Sequence, residues 1–167
     1  TYIEGGWPGS NPKDVEFFAR ARHLRLQHAR IAAFCSTRHP RAKVADDRNL
    51  QAVLDAGVRT AVMVGKSSAM HVEQVLGISR AENLAMIRES VQLLVERGLE
   101  VLFDAEHYFD GHKLDRDYAL ETLQVAADAG AAYVVLCDTN GGSLPSEVAR
   151  IVGEVRQHLP QVAVGMH

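Results

Sequence analysis

The sequence predicts an α/β fold, an incomplete TIM (β/α)8 barrel holding about six of the eight βα units, roughly from the second strand to the seventh. Three observations predict it. Short continuous apolar runs alternate with amphipathic stretches, the pattern of parallel strands covered by helices. Each run but the last ends in a cluster of polar and glycine residues: Glu4 to Asn11, Cys35 to Arg38, Gly65 to Ser67, Asp104 to Gly111 and Asp138 to Gly142. The chain also opens in an apolar run, Thr1-Tyr2-Ile3, and closes on Val164-Gly165-Met166-His167, where a strand should pass into its loop. A barrel lacking units would expose two strand edges, so residues 1–167 are expected to form part of one barrel domain whose first and last units lie outside them. The alternative is a complete flavodoxin-like open sheet.

Strands are expected at Tyr2 to Glu4, Ala29 to Phe34, Thr60 to Val64, Glu100 to Phe103, Ala132 to Cys137 and Val162 to Gly165. The intervening stretches carry helix ends. Asn11-Pro12 and Leu144-Pro145 put proline in a first turn, where its missing N–H is harmless. Ser79 and Glu82 have capping-box spacing, and Asp46-Asp47 can cap the helix through Leu54. Gly57, Gly98 and Gly130 stand between a helix and the next strand, where a left-handed cap is needed.

Composition narrows the function classes. A chain of 167 residues, 47% of them hydrophobic, can bury a core. A net charge of -3 offers no basic face to nucleic acid, and no apolar stretch approaches the roughly 20 residues that span a bilayer. Neither nucleic acid nor membrane is an expected partner. Cys35 and Cys137 fall in or just after apolar runs without Cys-x-x-Cys spacing, so reduced thiols of a cytoplasmic protein are expected.

In parallel α/β folds ligands bind at the carboxyl ends of the strands, so the polar clusters are where an active site would assemble. As words they are specific. Ile3-Glu4-Gly5-Gly6-Trp7-Pro8-Gly9-Ser10-Asn11-Pro12-Lys13-Asp14 closely resembles the second-strand loop of citramalate synthases, in the superfamily that also holds 2-isopropylmalate and homocitrate synthases. Gly65-Lys66-Ser67 with His71-Val72, Glu82 to Ile87, Phe103 to Lys113 and Leu136 to Pro145 continue the resemblance in order. Cys35 departs from it where glycine is expected. The family's first-strand acid and arginine motif, and the second histidine of its His-x-His motif, fall outside these residues.

The resemblance implies an acyltransferase that condenses pyruvate with acetyl-CoA to (R)-citramalate and CoA, in isoleucine biosynthesis, with a divalent cation (Mg, Mn or Zn) as cofactor. It implies Glu106 beside the oxo acid in a catalytic role, Thr139 as a substrate contact, Glu4 as a further substrate-side residue and His167 as a metal ligand. The full-length protein is expected to be a cytoplasmic homodimer, and these residues alone to be inactive. Residue chemistry is compatible with those roles and with plainer ones. A carboxylate can move protons or sit in a solvated turn with Asp104 and Asp110 nearby. Thr139 can hydrogen-bond a turn, and Glu4 can pair with an arginine. Lys66 and Arg38 could meet anionic parts of the substrates or simply be solvated, and His107 draws notice because it flanks Glu106. The competing readings are 2-isopropylmalate or homocitrate synthase, a retro-Claisen lyase of the superfamily, and a non-catalytic barrel domain.

Overall fold

A computed structural model describes residues 1–167. Six strands, β1 (Tyr2–Glu4), β2 (Arg30–Ser36), β3 (Thr60–Lys66), β4 (Glu100–Glu106), β5 (Tyr133–Leu136) and β6 (Ala163–Met166), form one sheet in the order β1-β2-β3-β4-β5-β6. All neighbouring pairs are parallel. A flavodoxin-like sheet reverses its strand order partway; this one does not. It also curls. Strands β1 and β5 are four positions apart, about 19 Å in a flat sheet at the usual spacing, yet the rings of Tyr2 and Tyr133 lie 6.0 Å apart across the inner face. The architecture is a curled part-barrel of the (β/α)8 type.

Helices α1 (Pro12–Ala21), α2 (Arg48–Ala56), α3 (Arg80–Glu96), α4 (Tyr108–Leu114), α5 (Arg116–Asp128) and α6 (Pro145–His158) connect the strands. Alternation along each strand divides its side chains between two faces. Cys35, Met63, Phe103 and Leu136 point outward into the main core, with Phe18, Leu50, Ile87 and Leu123 from the helices. Ala32, Val62 and Leu102 point inward, with Tyr2, Phe34 and Tyr133 around them. The helix ends follow the expected chemistry. Asn11 accepts from the Asp14 N–H (3.0 Å) and Asp47 from those of Asn49 and Leu50 (3.0 Å each). Ser79 accepts from the Glu82 N–H (3.1 Å), while the Glu82 carboxylate pairs with Arg38 (2.9 Å). Gly57, Gly98 and Gly130 have φ of 69°, 82° and 101°.

The strands run further than the apolar runs suggested. β2 continues through Ser36, β3 through Lys66 and β4 through Glu106, with Gly65 paired to Ala105 and Lys66 to Glu106. Polar tips are tolerated there because every second side chain projects inward rather than into the core. At the opposite, amino ends the inner face is closed by a polar ring. Glu100 accepts from Tyr2 Oη (3.0 Å), Arg30 Nη1 (3.1 Å) and Thr60 Oγ1 (3.3 Å), joining four strands.

Candidate functional site

Glu4, Ser36, Lys66, Asp104 and Glu106 stand at or near the carboxyl ends of β1 to β4, and His167 follows β6 directly. Glu106 is therefore the last residue of a strand, not part of a loose turn. Lys66, its register partner, makes an ion pair with it through Nζ and Oε2, and both side chains are about a quarter exposed. A cleft of about 520 Å³ opens beside this pair, lined among others by Trp7, Phe34, Ser36, Leu76 and Met86. A larger cleft of about 640 Å³ lies at the amino end, where Arg30 and Glu100 belong to the structural ring.

The β1–α1 loop owes much of its sequence to bracing one wall of the cleft. Gly6 takes φ of 122°, open to glycine, and the Asp14 carboxylate accepts from the Trp7 N–H (2.9 Å). Trp7 Nε1 then donates to Asn49 Oδ1 (2.5 Å), Asn49 Nδ2 donates to the Ser36 carbonyl (2.8 Å), and the indole meets Phe34 edge-on at 5.3 Å. Arg38 is committed in the same way. Its buried guanidinium is held by Glu82 (2.9 Å) and Glu89 (2.6 Å), which leaves Lys66 as the cation beside Glu106.

Thr139 crosses between loops rather than serving its own turn. Its hydroxyl oxygen accepts from the backbone N–H of His107 (2.9 Å), so the loop after β5 holds the residue that follows Glu106. The hydroxyl proton has no protein acceptor and stays free to donate. His107 itself has φ of 58°, the sole positive φ outside glycine.

Asp104 joins the candidate site on position alone, and the sequence reading does not single it out. It sits two places before Glu106 and so shares its inward face, flanked in register by Val64 and Val135. Burial pushes its carboxyl up to about 6; His167 opposes the rise and Glu4 adds to it. The signal was available in the alternation Phe103-Asp104-Ala105-Glu106. Glu4, Asp104 and His167 thus share one electrostatic neighbourhood. No group of three or more His, Cys, Asp or Glu side chains converges to hold a metal ion, so His167 stands as a single candidate ligand, and imidazole suits a divalent transition metal. Both cysteines are buried free thiols, and burial, with Asp104 and Glu106 adding to it, pushes Cys137 up to about 12.

The profile of the HMGL-like family matches residues 1–167. The chain is 47% identical over 175 residues to the (R)-citramalate synthase of Synechocystis sp., covering 99% of this chain and 32% of that protein. It is 49% identical over 166 residues to the (R)-citramalate synthase of Sulfolobus acidocaldarius, with the same coverage. Against a 2-isopropylmalate synthase of Listeria innocua identity is 31% over 160 residues, covering 95% of this chain and 30% of that one. The chain thus spans about a third of the length of these curated relatives. Among solved structures, the HMG-CoA lyase of Bacillus subtilis superposes with a TM-score of 0.75 at 16% identity, over 99% of this chain and 55% of that one, a likeness of fold.

Proposed function

The chain belongs to the HMGL-like family, and on that premise we propose that residues 1–167 are part of the catalytic barrel of an (R)-citramalate synthase. The reaction joins the methyl carbon of acetyl-CoA to the carbonyl carbon of pyruvate and hydrolyses the thioester, releasing citramalate and CoA, a step toward isoleucine. One observation carries the reading: identity of 47% and 49% to citramalate synthases against 31% to an isopropylmalate synthase, over nearly the whole chain in each case.

The geometry is compatible with that chemistry. Condensation needs a proton removed from the acetyl methyl group and the oxo acid held against the resulting carbanion. Glu106, fixed at the end of β4, is the group of this chain for that proton transfer or for aligning the oxo acid. Lys66 places a cation where an anionic substrate would approach, and Thr139 has a hydroxyl proton to give to a carboxylate oxygen. Glu4, at the end of β1, would add a carboxylate on the substrate side of the same end. A divalent cation, Mg, Mn or Zn, would supply Lewis-acid activation of the oxo acid, and His167 is the residue of this chain that would ligate it. The full-length protein acts as a cytoplasmic homodimer.

Free thiol released from acetyl-CoA by the full-length protein tests the reading. Turnover with pyruvate should exceed turnover with 2-oxoisovalerate clearly; the reverse order transfers the assignment to isopropylmalate synthesis. His167→Ala should lower bound metal and turnover together. Parent-level metal content in that variant would remove His167 from the ligand set.

A further inference from the structure

His71 and His107 lie on separate connections, one opening a π-helical turn (His71–Leu76) after β3, the other between β4 and α4. Their imidazoles stack face to face, 3.9 Å between centroids and 12° from parallel. The backbone under them is specialised. A non-glycine residue in the left-handed region is strained and persists only where its surroundings over-determine it. At His107 those surroundings are visible: its N–H is held by Thr139 Oγ1 (2.9 Å) and its carbonyl accepts from the Gly111 N–H (2.8 Å). α4 is also pressed onto the segment that leads to His71, since a Cβ at Gly111 would lie 2.4 Å from the Ser67 carbonyl oxygen. Nδ1 of each ring is buried with no hydrogen-bond partner. A buried N–H without an acceptor is expensive, so the tautomer that suits each unpartnered Nδ1 carries the proton on Nε2.

We propose that the stacked His71 and His107 rings form a positioning device for Glu106, fixing the β4–α4 junction and through it the carboxylate at the end of β4. The inference rests on the citramalate synthase reading for its kinetic part alone. Charge on His71 would work against the stack. The groups facing it are His107, Lys66, Glu106 and Asp110; burial first, then His107 and Lys66, lower its titration point, while Glu106 and Asp110 act the other way. Asp110 Oδ2 is 3.9 Å from His107 Nδ1, too far to share its proton, and is instead bonded by Asn140 Nδ2 (2.6 Å). The device is therefore set at neutral pH and released on acidification.

Three variants of the full-length protein test it: His71→Ala, His71→Phe and His107→Gly, the last free to adopt the left-handed backbone. His71→Ala and His107→Gly should each lower kcat about 10-fold while leaving KM for pyruvate within about 2-fold, as expected when a catalytic group is misplaced after substrate is bound. His71→Phe keeps a flat ring on His107 and should recover kcat, without the acid-side loss due to His71. Parent kcat in His71→Ala, or no recovery in His71→Phe, overturns the proposal. A second readout needs no turnover. With 13C-labelled glutamate, the Glu106 carboxyl signal, identified by its loss in Glu106→Gln, should coincide in the parent and His71→Phe above pH 7 and move in His71→Ala. An unmoved signal sinks the positioning role even if citramalate is made; a moved signal in a protein that makes none keeps the role and sinks the reaction.

Discussion

The polar side chains at the two ends of the strands are held differently, although each end has a paired carboxylate, Glu100 at one and Glu106, with Lys66, at the other. At the amino ends, the Glu100 carboxylate collects hydrogen bonds from Tyr2, Arg30 and Thr60 on three other strands. At the carboxyl ends, Asp104 is buried enough to resist ionisation, two imidazole nitrogens and the Ser68 hydroxyl lack partners, and His107 bears a strained backbone. Unmet polar groups oppose folding, so their concentration at one end is what the proposed site there would explain. In barrels of this type conserved chemistry belongs to the carboxyl face and stability to the amino face; here the hydrogen bonding draws that line without reference to any relative.

The sharpest way to break the comparison is to neutralise one carboxylate at each end of the same strand. Glu106→Gln keeps shape while removing a charge and a proton-accepting oxygen. Turnover of the full-length protein should fall by about 10²-fold or more, the usual range for a lost acid or base, with Tm almost unchanged. A large drop in Tm with turnover intact in the surviving fraction would make Glu106 a structural residue and its pair with Lys66 a brace.

Glu100→Gln should do the reverse. The amide can still accept, but three donors, one of them the Arg30 guanidinium, lose their charged acceptor. Weakening those bonds should cost about 2 kcal/mol, a fall in Tm of several °C measured by thermal denaturation, while turnover per folded molecule stays at the parent level. A stable Glu100→Gln protein would mean that solvent already screens the ring.

How much of this was legible in the sequence varies with the physics involved. Strand order and helix ends could be read because they depend on local signals: apolar runs, proline at Pro12 and Pro145, capping by Asn11, Ser79 and Asp47, glycine at Gly57, Gly98 and Gly130. Where β2, β3 and β4 end could not, because Ser36, Lys66 and Glu106 look like loop residues until inward alternation is considered. Of the candidate site residues, Glu106 and Thr139 were found through a resemblance of words, and the structure adds what words omit: Lys66 against Glu106, and Thr139 against His107. The His71–His107 stack spans 36 positions of sequence between two loops, so no local pattern announces it. Asp104 was passed over as one of several acids near a turn, although period-two alternation already placed it beside Glu106.

Asp104 also provides the finest test of the contrast between the two ends. Its carboxyl is raised from an ordinary 3.8 to about 6, chiefly by burial. A carboxyl raised on folding adds stability that is fully present below its unfolded value and is lost as pH rises through the folded one. Between pH about 4 and 6 the parent should therefore lose about 1–2 kcal/mol on this account, the full linkage value being reduced because the group is partly exposed. Asp104→Asn removes the ionisation. Urea denaturation of both proteins at a series of pH values should give equal stability near pH 4 and an advantage to the variant above pH 6. His71 changes stability in the opposite sense, lost as pH falls below its ordinary 6.5 because its folded titration point is lowered, and it cancels in the difference between the two proteins. Curves that run parallel from pH 4 to 7 would show Asp104 to be ionised at no cost. If they diverge, the fold bears a standing penalty for a carboxylate on the inner face two residues from Glu106, as expected where the charge is kept for a ligand rather than for the fold.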